Sequence, residues 1–187
     1  KPFLLYVAYT APHYPLHASQ QDVAKYRGKY KTLGWDRLRK QRFAKQQALG
    51  VLPEGAALSK RDESVQAWEA IDQDRLDWWD LRMATYTAMI DRMDRNIGRI
   101  LAKLKQTGQS ENTVVFFLSD NGASAEIMVR DDGHDPNLPS GAAGTYLGLG
   151  PGWSTTCNTP FRRHKTWTHE GGTSTPFLMS WPKGIKA

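Results

Sequence analysis

The most informative segment of this chain is Thr113-Val114-Val115-Phe116-Phe117-Leu118-Ser119-Asp120-Asn121-Gly122. Its first six residues are apolar or β-branched and do not alternate with charged ones. That pattern is typical of a strand buried on both faces of a parallel sheet. The polar residues 119–122 then lie at the carboxyl end of the strand, the edge at which open α/β sheets bind their ligands. The segment therefore predicts a core strand that leads into a functional loop.

Two further strands are predicted on either side of this one. The continuous apolar run at 3–9 resembles the strand at 113–118, and residues 174–181 form a third candidate. After the strand at 113–118 and before the candidate at 174–181, residues 123–160 are rich in Gly, Pro and Asp and show little periodicity. Connections of that length are usually functional loops or disordered segments.

Helices are predicted in the remaining sequence. Residues 19–49 indicate helical structure in two pieces, broken near Gly28 and Gly34. Residues 72–105 predict a long helix, because their apolar side chains recur every three or four positions and form one stripe. The order strand, helices, strand, loop and strand predicts an α/β fold with at least part of a parallel sheet.

The composition is that of a globular chain with a basic balance. Its 187 residues are 40% hydrophobic and 24% charged, and no apolar run is long enough for a transmembrane helix. The single cysteine excludes an internal disulfide and a cysteine-based zinc site. The net charge is +6, but basic and acidic residues are mixed, and the densest basic cluster, 37–45, suits a solvated helix face. We therefore expect no nucleic-acid partner and no membrane span.

Asp120 and Asn121 are candidate metal ligands. They place a carboxylate and an amide carbonyl oxygen side by side at a predicted strand end. Hard cations such as Ca²⁺ and Mg²⁺ take oxygen ligands of this kind. Asp-Asn-Gly is also an excellent tight turn, so the residues alone leave both interpretations open.

The second candidate is the loop Ala11-Pro12-His13-Tyr14-Pro15-Leu16-His17, which follows the predicted first strand. Prolines on both sides stiffen the loop that presents His13. A histidine held in this way can bind an anion or donate a proton near neutral pH. The alternative is an ordinary surface histidine, and His17 has a weaker version of the same case.

The third candidate is the segment 158–172, which is basic and ends in two glycines. Three basic residues and two histidines, Lys165 and His169 among them, occupy eight consecutive positions. They could form a pocket for sulfate, phosphate or carboxylate, or an exposed basic hairpin. Cys157, just before the segment, could be a nucleophile, but a lone cysteine is more often a small buried hydrophobic residue.

Together, the three segments resemble those of the sulfatase family, in particular the bacterial and lysosomal arylsulfatases. Residues 11–18 look like the family's histidine loop, 113–122 like its metal-binding strand and 158–172 like its lysine segment. The resemblance covers nearly the whole chain in order, which makes it far more specific than any one motif. It implies an alkaline-phosphatase-like α/β/α sandwich with a mostly parallel sheet.

The resemblance also implies roles for four residues. Sulfatases hold a Ca²⁺ ion, sometimes Mg²⁺, with four side chains, and Asp120 and Asn121 match one half of that set. A lysine and a histidine of the family bind the sulfate group and its leaving oxygen, and Lys165 and His13 match them. Such groups suit the cleavage of a sulfate ester, because negative charge builds up on the leaving oxygen. The implied function is hydrolysis of a sulfated small molecule or glycan.

The match departs from the family pattern at the nucleophile. Sulfatases use a formylglycine made from the cysteine of a Cys-x-Pro-Ser-Arg or Cys-x-Ala-x-Arg motif. After Cys157, the proline and the arginine, Pro160 and Arg162, each lie one place too late, so we do not expect this cysteine to be the nucleophile. We expect 1–187 to be the central part of a sulfatase catalytic domain, inactive alone, with the formylglycine supplied by upstream sequence.

Two other functions stay open. One is a phosphatase or phosphodiesterase of the same superfamily, although an Asp–Asn pair favours one hard cation over two zinc ions. The other is a non-catalytic module that binds sulfated glycans, which the basic balance would suit. By family resemblance we expect a periplasmic or secreted protein. The sequence does not identify the sulfate ester, the oligomeric state or the roles of His17, His169 and Cys157.

Overall fold

The regular elements of the chain are mainly helical. A computed structural model describes residues 1–127 and 135–185. The helices are α1 (Gln20–Ala24), α2 (Lys29–Ala48), α3 (Leu76–Gln106), α4 (Pro151–Cys157) and α5 (Glu170–Thr173), and the strands are β1 (Val115–Leu118) and β2 (Phe177–Ser180). Short 3₁₀ turns at Trp68–Ala70, Gln73–Arg75 and Ser110–Asn112 lie between them.

The helical region before residue 50 is interrupted where the sequence predicts. Gly28 precedes α2 with a φ of 80°, and Gly34 interrupts α2 with a φ of 66°. A Cβ atom at Gly34 would overlap the indole of Trp68, so this position also requires glycine for the close approach of the 3₁₀ turn. The predicted division into helical pieces is confirmed.

The long helix α3 is the centre of the described structure. It buries Met83, Ala84, Ala88 and Met89, and it packs against both α1 and α2. The fully buried carboxylate of Asp80 accepts hydrogen bonds from backbone N–H groups at the start of α2, which have no partner within that helix. The predicted long helix is confirmed, but the later part of its apolar stripe is not buried as expected: Ile90 is 37% and Leu101 44% exposed.

A cluster of tryptophans forms the main core. Trp153 of α4 is fully buried, and its ring meets those of Trp35 and Trp68 at centroid distances of 5.4 and 5.3 Å. The indole N–H of Trp153 donates to the backbone oxygen of Trp79 at 2.9 Å. The prediction of an unstructured connection over 123–160 is thus wrong at its end, because Trp153 anchors a helix there. Residues 128–134 of that connection lie outside the described residues.

The two strands pair with each other in antiparallel fashion. Val115 faces Ser180 and Leu118 faces Phe177 in the register. Both strands lie where the sequence predicts them, but they are exposed rather than buried, with Phe116 and Phe177 more than half exposed. An apolar run indicates that a strand tends to be buried. Whether the strand is buried depends on other elements that pack against it, and the run itself does not specify those. An antiparallel edge strand is common in parallel sheets, so the mostly parallel sheet stays a prediction that this pair does not confirm.

The predicted first strand is not formed. Residues 1–10 adopt no regular element, and most of them are exposed; Leu4 is 96% and Tyr6 87% exposed. A strand needs a partner for its backbone groups, and no backbone hydrogen bond pairs residues 1–9 with another part of the described chain. The segment instead lines one side of a cleft whose other side includes α3 and β1.

The helices of the described residues give no indication of membrane insertion. None of them combines the length and the apolar character that a span through a bilayer requires.

Candidate active site

The loop that carries His13 is fixed by its neighbour Leu16. The Leu16 side chain is 1% exposed, and its backbone N–H donates to the Leu147 oxygen at 2.9 Å. Two residues further on, the N–H of Ala18 donates to the oxygen of Gly141 at 3.1 Å. His13 itself is exposed and faces the cleft. The apolar side chain thus holds the loop so that the histidine is left accessible.

The segment around Lys165 has an unusual backbone. Arg163 and Thr166 have φ angles of 69° and 80°, and both lie in the left-handed region that non-glycine residues rarely adopt. Between them, the N–H of Lys165 donates to the oxygen of Ala123 at 3.1 Å. Backbone strain of this kind clusters at functional sites, where the surrounding structure holds it in place. Here it accompanies the residue that the sequence predicts to bind sulfate.

His13 and Lys165, 152 positions apart in the chain, come together in the cleft. The Lys165 ammonium donates to Nε2 of His13 at 3.1 Å. The other ring nitrogen, Nδ1, lies 2.7 Å from the backbone oxygen of Tyr14, so it carries the proton and leaves Nε2 as the acceptor. The resting pair is therefore a neutral imidazole beside an ammonium group, and both are accessible to an anion in the cleft.

Asp120 and Asn121 lie directly after β1 and line the same cleft. Their turn is packed against the end of the lysine segment. The N–H of Gly122 donates to the oxygen of Gly172 at 3.0 Å, and a Cβ atom at Gly122 would overlap the carbonyl oxygen of Gly171. The glycine is thus required by a close backbone approach that joins the predicted metal turn to the lysine segment.

The donor set of Asp120 and Asn121 fits part of a hard-cation site. Asp120 is exposed, and no hydrogen bond or ion pair to its carboxylate occurs within residues 1–127 and 135–185. The same residues contain no group of three or more His, Cys, Asp or Glu side chains that could hold a metal ion. Ca²⁺ takes about six to eight oxygen ligands, so this pair supplies only part of what a bound ion needs.

The three residues without an assigned role have ordinary partners. Nε2–H of His17 donates to the backbone oxygen of Thr145 at 2.7 Å, and Nε2 of His169 lies 3.0 Å from the Arg162 guanidinium. Cys157 is half-buried, and desolvation raises the pKa of its thiol. Because the thiolate is the nucleophilic form, this environment disfavours nucleophilic chemistry at Cys157.

A buried polar chain beside Lys165 was not predicted from the sequence. Nδ1 of His164 lies 2.7 Å from Oγ of Ser154, which donates to the Ala123 oxygen at 2.9 Å. Nε2 of His164 faces Asp62 at 3.9 Å. The order Asp, His, Ser resembles a hydrolase triad, but Ser154 is fully buried and its hydroxyl proton is already donated, so the chain is structural. No local motif links residues so far apart in the sequence.

Arg39 was also missed. The other basic residues of the cluster 37–45 are exposed on α2, as expected of a solvated helix face, but Arg39 is only 6% exposed. Its guanidinium donates to the backbone oxygen and the hydroxyl of Ser59, both at 2.6 Å, and to the Pro160 oxygen at 3.3 Å. These bonds fix the chain near the start of the lysine segment. Desolvation lowers the pKa of Arg39.

The sequence of the chain is similar to those of known proteins. The family model described as Sulfatase matches residues 1–187. The chain is 33% identical to an arylsulfatase of Klebsiella aerogenes, over 97% of this chain and 41% of the relative. It is 32% identical to an uncharacterised sulfatase of Schizosaccharomyces pombe, over 98% of this chain and 35% of the relative. The chain thus spans less than half the length of these curated relatives.

A solved structure is also similar. It is described as Ps i-CgsB in complex with k-i-k-neocarrahexaose, and the sequence identity is 26%. The match has a TM-score of 0.48 and covers 97% of this chain and 24% of that one.

Proposed function

This chain belongs to the sulfatase family, whose fold is of the alkaline-phosphatase-like α/β type, and on that premise we propose that the protein is an arylsulfatase-like sulfuric ester hydrolase. The observation that carries the proposal is the contact between Lys165 Nζ and His13 Nε2. Two groups that the family resemblance assigns to sulfate binding are adjacent in space, although they are far apart in the chain. They share one cleft with the Asp120–Asn121 turn.

Lys165 and His13 act on the two sides of the ester bond in this proposal. The Lys165 ammonium holds the sulfonyl oxygens, which stay negatively charged throughout the reaction. A sulfate oxygen then replaces Nε2 of His13 as the acceptor of the lysine proton. The freed Nε2 of His13 then takes up a proton. The resulting N–H donates to the leaving oxygen, on which negative charge develops.

Asp120 and Asn121 are proposed to hold the cation, Ca²⁺ or Mg²⁺, with a carboxylate oxygen and an amide oxygen. A bound cation supplies positive charge that stabilises the sulfate oxygens in the transition state. Further ligands must come from outside this pair, because Ca²⁺ takes about six to eight oxygens, and the described residues contain no group of three or more His, Cys, Asp or Glu side chains that could hold a metal ion. The proposal therefore treats the pair as half of the metal set.

The nucleophile is proposed to be a formylglycine encoded outside residues 1–187. Cys157 does not suit this role, because Pro160 and Arg162 each lie one place too late for the formylglycine motif. On this account the 187-residue chain, produced alone, hydrolyses no sulfate ester. Robust hydrolysis of an aryl sulfate by the purified chain would contradict that part of the proposal.

The substrate class that this site suits is a sulfated small molecule or glycan, because Lys165, His13 and a hard cation all favour a tetrahedral anion. A periplasmic or secreted location is proposed on the family resemblance alone. The loop 123–160 borders the cleft through Ser124 and Glu126, so it is placed to contact the alcohol side of the ester.

The test is a paired assay on the protein produced from the complete coding sequence. We expect hydrolysis of an aryl sulfate with much weaker hydrolysis of the matched aryl phosphate. Lys165→Ala should lower kcat about 10²–10³-fold, because it removes one donor to the developing charge. Asp120→Ala should abolish activity by weakening Ca²⁺ binding, measured as bound calcium per protein.

Three results would count against the proposal. A preference for the phosphate indicates a phosphatase or phosphodiesterase of the same superfamily. Binding of sulfated glycans without turnover of any ester indicates a non-catalytic module. Wild-type calcium content in Asp120→Ala removes the metal assignment. Lys103→Ala, an exposed lysine of α3 outside the cleft, serves as the matched control for Lys165→Ala and should keep wild-type activity.

A further inference from the structure

Asn158, the residue that follows α4, connects two parts of the candidate site with its side-chain amide. Its Oδ1 accepts the backbone N–H of Ala123 at 2.8 Å. Its Nδ2 donates to the backbone oxygen of Arg163 at 3.1 Å and, at 3.4 Å, to that of Ala123. These partners fix the orientation of the amide, because an N–H can only donate and a carbonyl oxygen can only accept.

The partners of Asn158 are close in sequence to the site residues. Ala123 is two positions after Asn121, and Arg163 is two positions before Lys165. The oxygen of Ala123 also accepts the N–H of Lys165 at 3.1 Å. The turn that presents Asp120 and Asn121 therefore meets the backbone that presents Lys165 at one point, and the Asn158 amide bonds to the chain on both sides of it.

From this geometry we infer that Asn158 is a positioning residue, which sets the position of the Asp120–Asn121 turn relative to Lys165. The inference rests on the proposed function, because that spacing matters only if cation and lysine act on the same sulfate group. Asn158 touches neither of them. It acts through the backbone of Ala123 and Arg163.

The packing leaves little room for another side chain at this position. The point where a Cβ atom of Gly122 would lie is 3.2 Å from Oδ1 of Asn158, so the amide lies against the glycine turn. A longer glutamine would have to displace that turn, and a shorter serine could not reach both backbone segments. Only asparagine has the length and the donor–acceptor pair that these contacts use.

The expected change in activity on loss of the Asn158 contacts follows from how strongly catalytic sites depend on the positions of their groups. Residues that orient metal ligands typically change affinity or activity about 10–100-fold when mutated. A misplacement of about 1 Å at a reacting group can cost about 10²-fold in rate. Loss of the Asn158 contacts should therefore lower kcat more than it raises KM, since the binding groups themselves remain present.

Two variants separate the contacts. Asn158→Asp has the same shape and still accepts from Ala123, but it places a carboxylate oxygen against the Arg163 oxygen. Asn158→Ala loses every contact. In the protein from the complete coding sequence, we expect both to lower kcat for an aryl sulfate about 10–100-fold and to weaken Ca²⁺ binding. The matched control is Asn96→Asp, on α3 and outside the cleft, whose Oδ1 accepts from Arg99 in both forms, with wild-type kinetics expected.

Amide hydrogen exchange gives a readout that needs no turnover. In Asn158→Ala, the amides of Ala123 and Lys165 should exchange faster than in the wild-type protein. In Asn158→Asp, the Ala123 amide should stay protected, because its acceptor is retained. If Asn158→Ala does not fold, the isosteric aspartate variant decides the question by itself.

The outcomes distinguish this inference from the proposed function. Wild-type kinetics, calcium binding and exchange in the folded variants overturn the positioning role. Lower activity with unchanged exchange at Ala123 and Lys165 in Asn158→Ala, or with unchanged exchange at Lys165 in Asn158→Asp, overturns it too. Altered exchange in a protein whose wild type hydrolyses no sulfate ester supports the positioning of the two segments and contradicts the sulfatase proposal instead.

Discussion

His164 is a buried histidine whose environment makes the fold sensitive to acid. Burial lowers the pKa of its imidazole, and the Asp62 carboxylate opposes this only in part. The folded state therefore binds a proton less readily than the unfolded chain, in which a histidine has a pKa of about 6.5. The contribution of His164 to the free energy of unfolding should therefore be fully present above that pH and should be lost as the pH falls below it.

The prediction for this residue is a change in the pH dependence of stability. His164→Asn keeps a donor near the position of Nδ1 for Ser154 and removes the titrating ring. We expect urea unfolding to show less loss of stability between pH 7.5 and about pH 5 for the variant than for the wild type. His17→Asn, at an exposed histidine, is measured in the same way as the control for the loss of a histidine as such. Equal profiles for His164→Asn and wild type would contradict the burial argument.

Single residues were predicted well where a motif marked them and poorly where only the fold brings them together. Lys165, His13 and the Asp120–Asn121 pair were all chosen from local sequence, and the structure places Lys165 against His13. Their chemical roles stay predictions. Arg39 and Ser154 had no such signal. Their partners Pro160 and His164 lie 121 and 10 positions away in the sequence, so the contacts depend on tertiary packing.

At the scale of elements, α4 shows what a short helix gains from its core residue. A helix of seven residues is marginal alone, since most helical stability in proteins comes from packing. Trp153 supplies that packing by burying its whole side chain among other tryptophans. The helix in turn ends at Cys157 and is followed by Asn158, so the core of the domain determines where the lysine segment begins.

The corresponding prediction concerns stability. Trp153→Ala should lower the free energy of unfolding by about 3–5 kcal/mol, because it leaves a large cavity and the Trp79 oxygen without its partner. Trp167→Ala is the matched control; that ring is 49% exposed and contacts the Arg163 guanidinium, so its removal should cost about 1 kcal/mol or less. Both are measured by urea denaturation. A similar loss in the two variants would contradict the assignment of the core.

The elements also show the limits of sequence patterns. The periodicity of α3 and the glycine break in α2 depend on neighbouring residues only, and both were predicted. The positions of the strands at 115–118 and 177–180 were predicted, but their exposure was not. The degree of burial depends on which other elements pack against a strand. The segment 1–10 has the same apolar character without a strand partner, and it forms no strand.

At the scale of the whole molecule, the family is established and the activity is a proposal. The chain matches the sulfatase model over its full length but spans only 41% and 35% of two curated relatives. The described residues provide a cleft, a lysine–histidine pair and the Asp120–Asn121 turn, which we propose as half of a metal set. The order of three moderately specific motifs identified the family from sequence, whereas the number and direction of the sheet's strands could not be obtained from this chain.

The central claim is that Lys165, His13, Asp120 and Asn121 form one sulfate-ester site. A crystal structure of the protein from the complete coding sequence, soaked with calcium and sulfate, tests it most directly. The account predicts a sulfate ion within hydrogen-bonding distance of Lys165 Nζ and His13 Nε2, beside a calcium ion at about 2.3–2.6 Å from oxygens of Asp120 and Asn121. Sulfate and calcium bound elsewhere, with the Asp120 and Asn121 side chains directed away from the lysine, would contradict it.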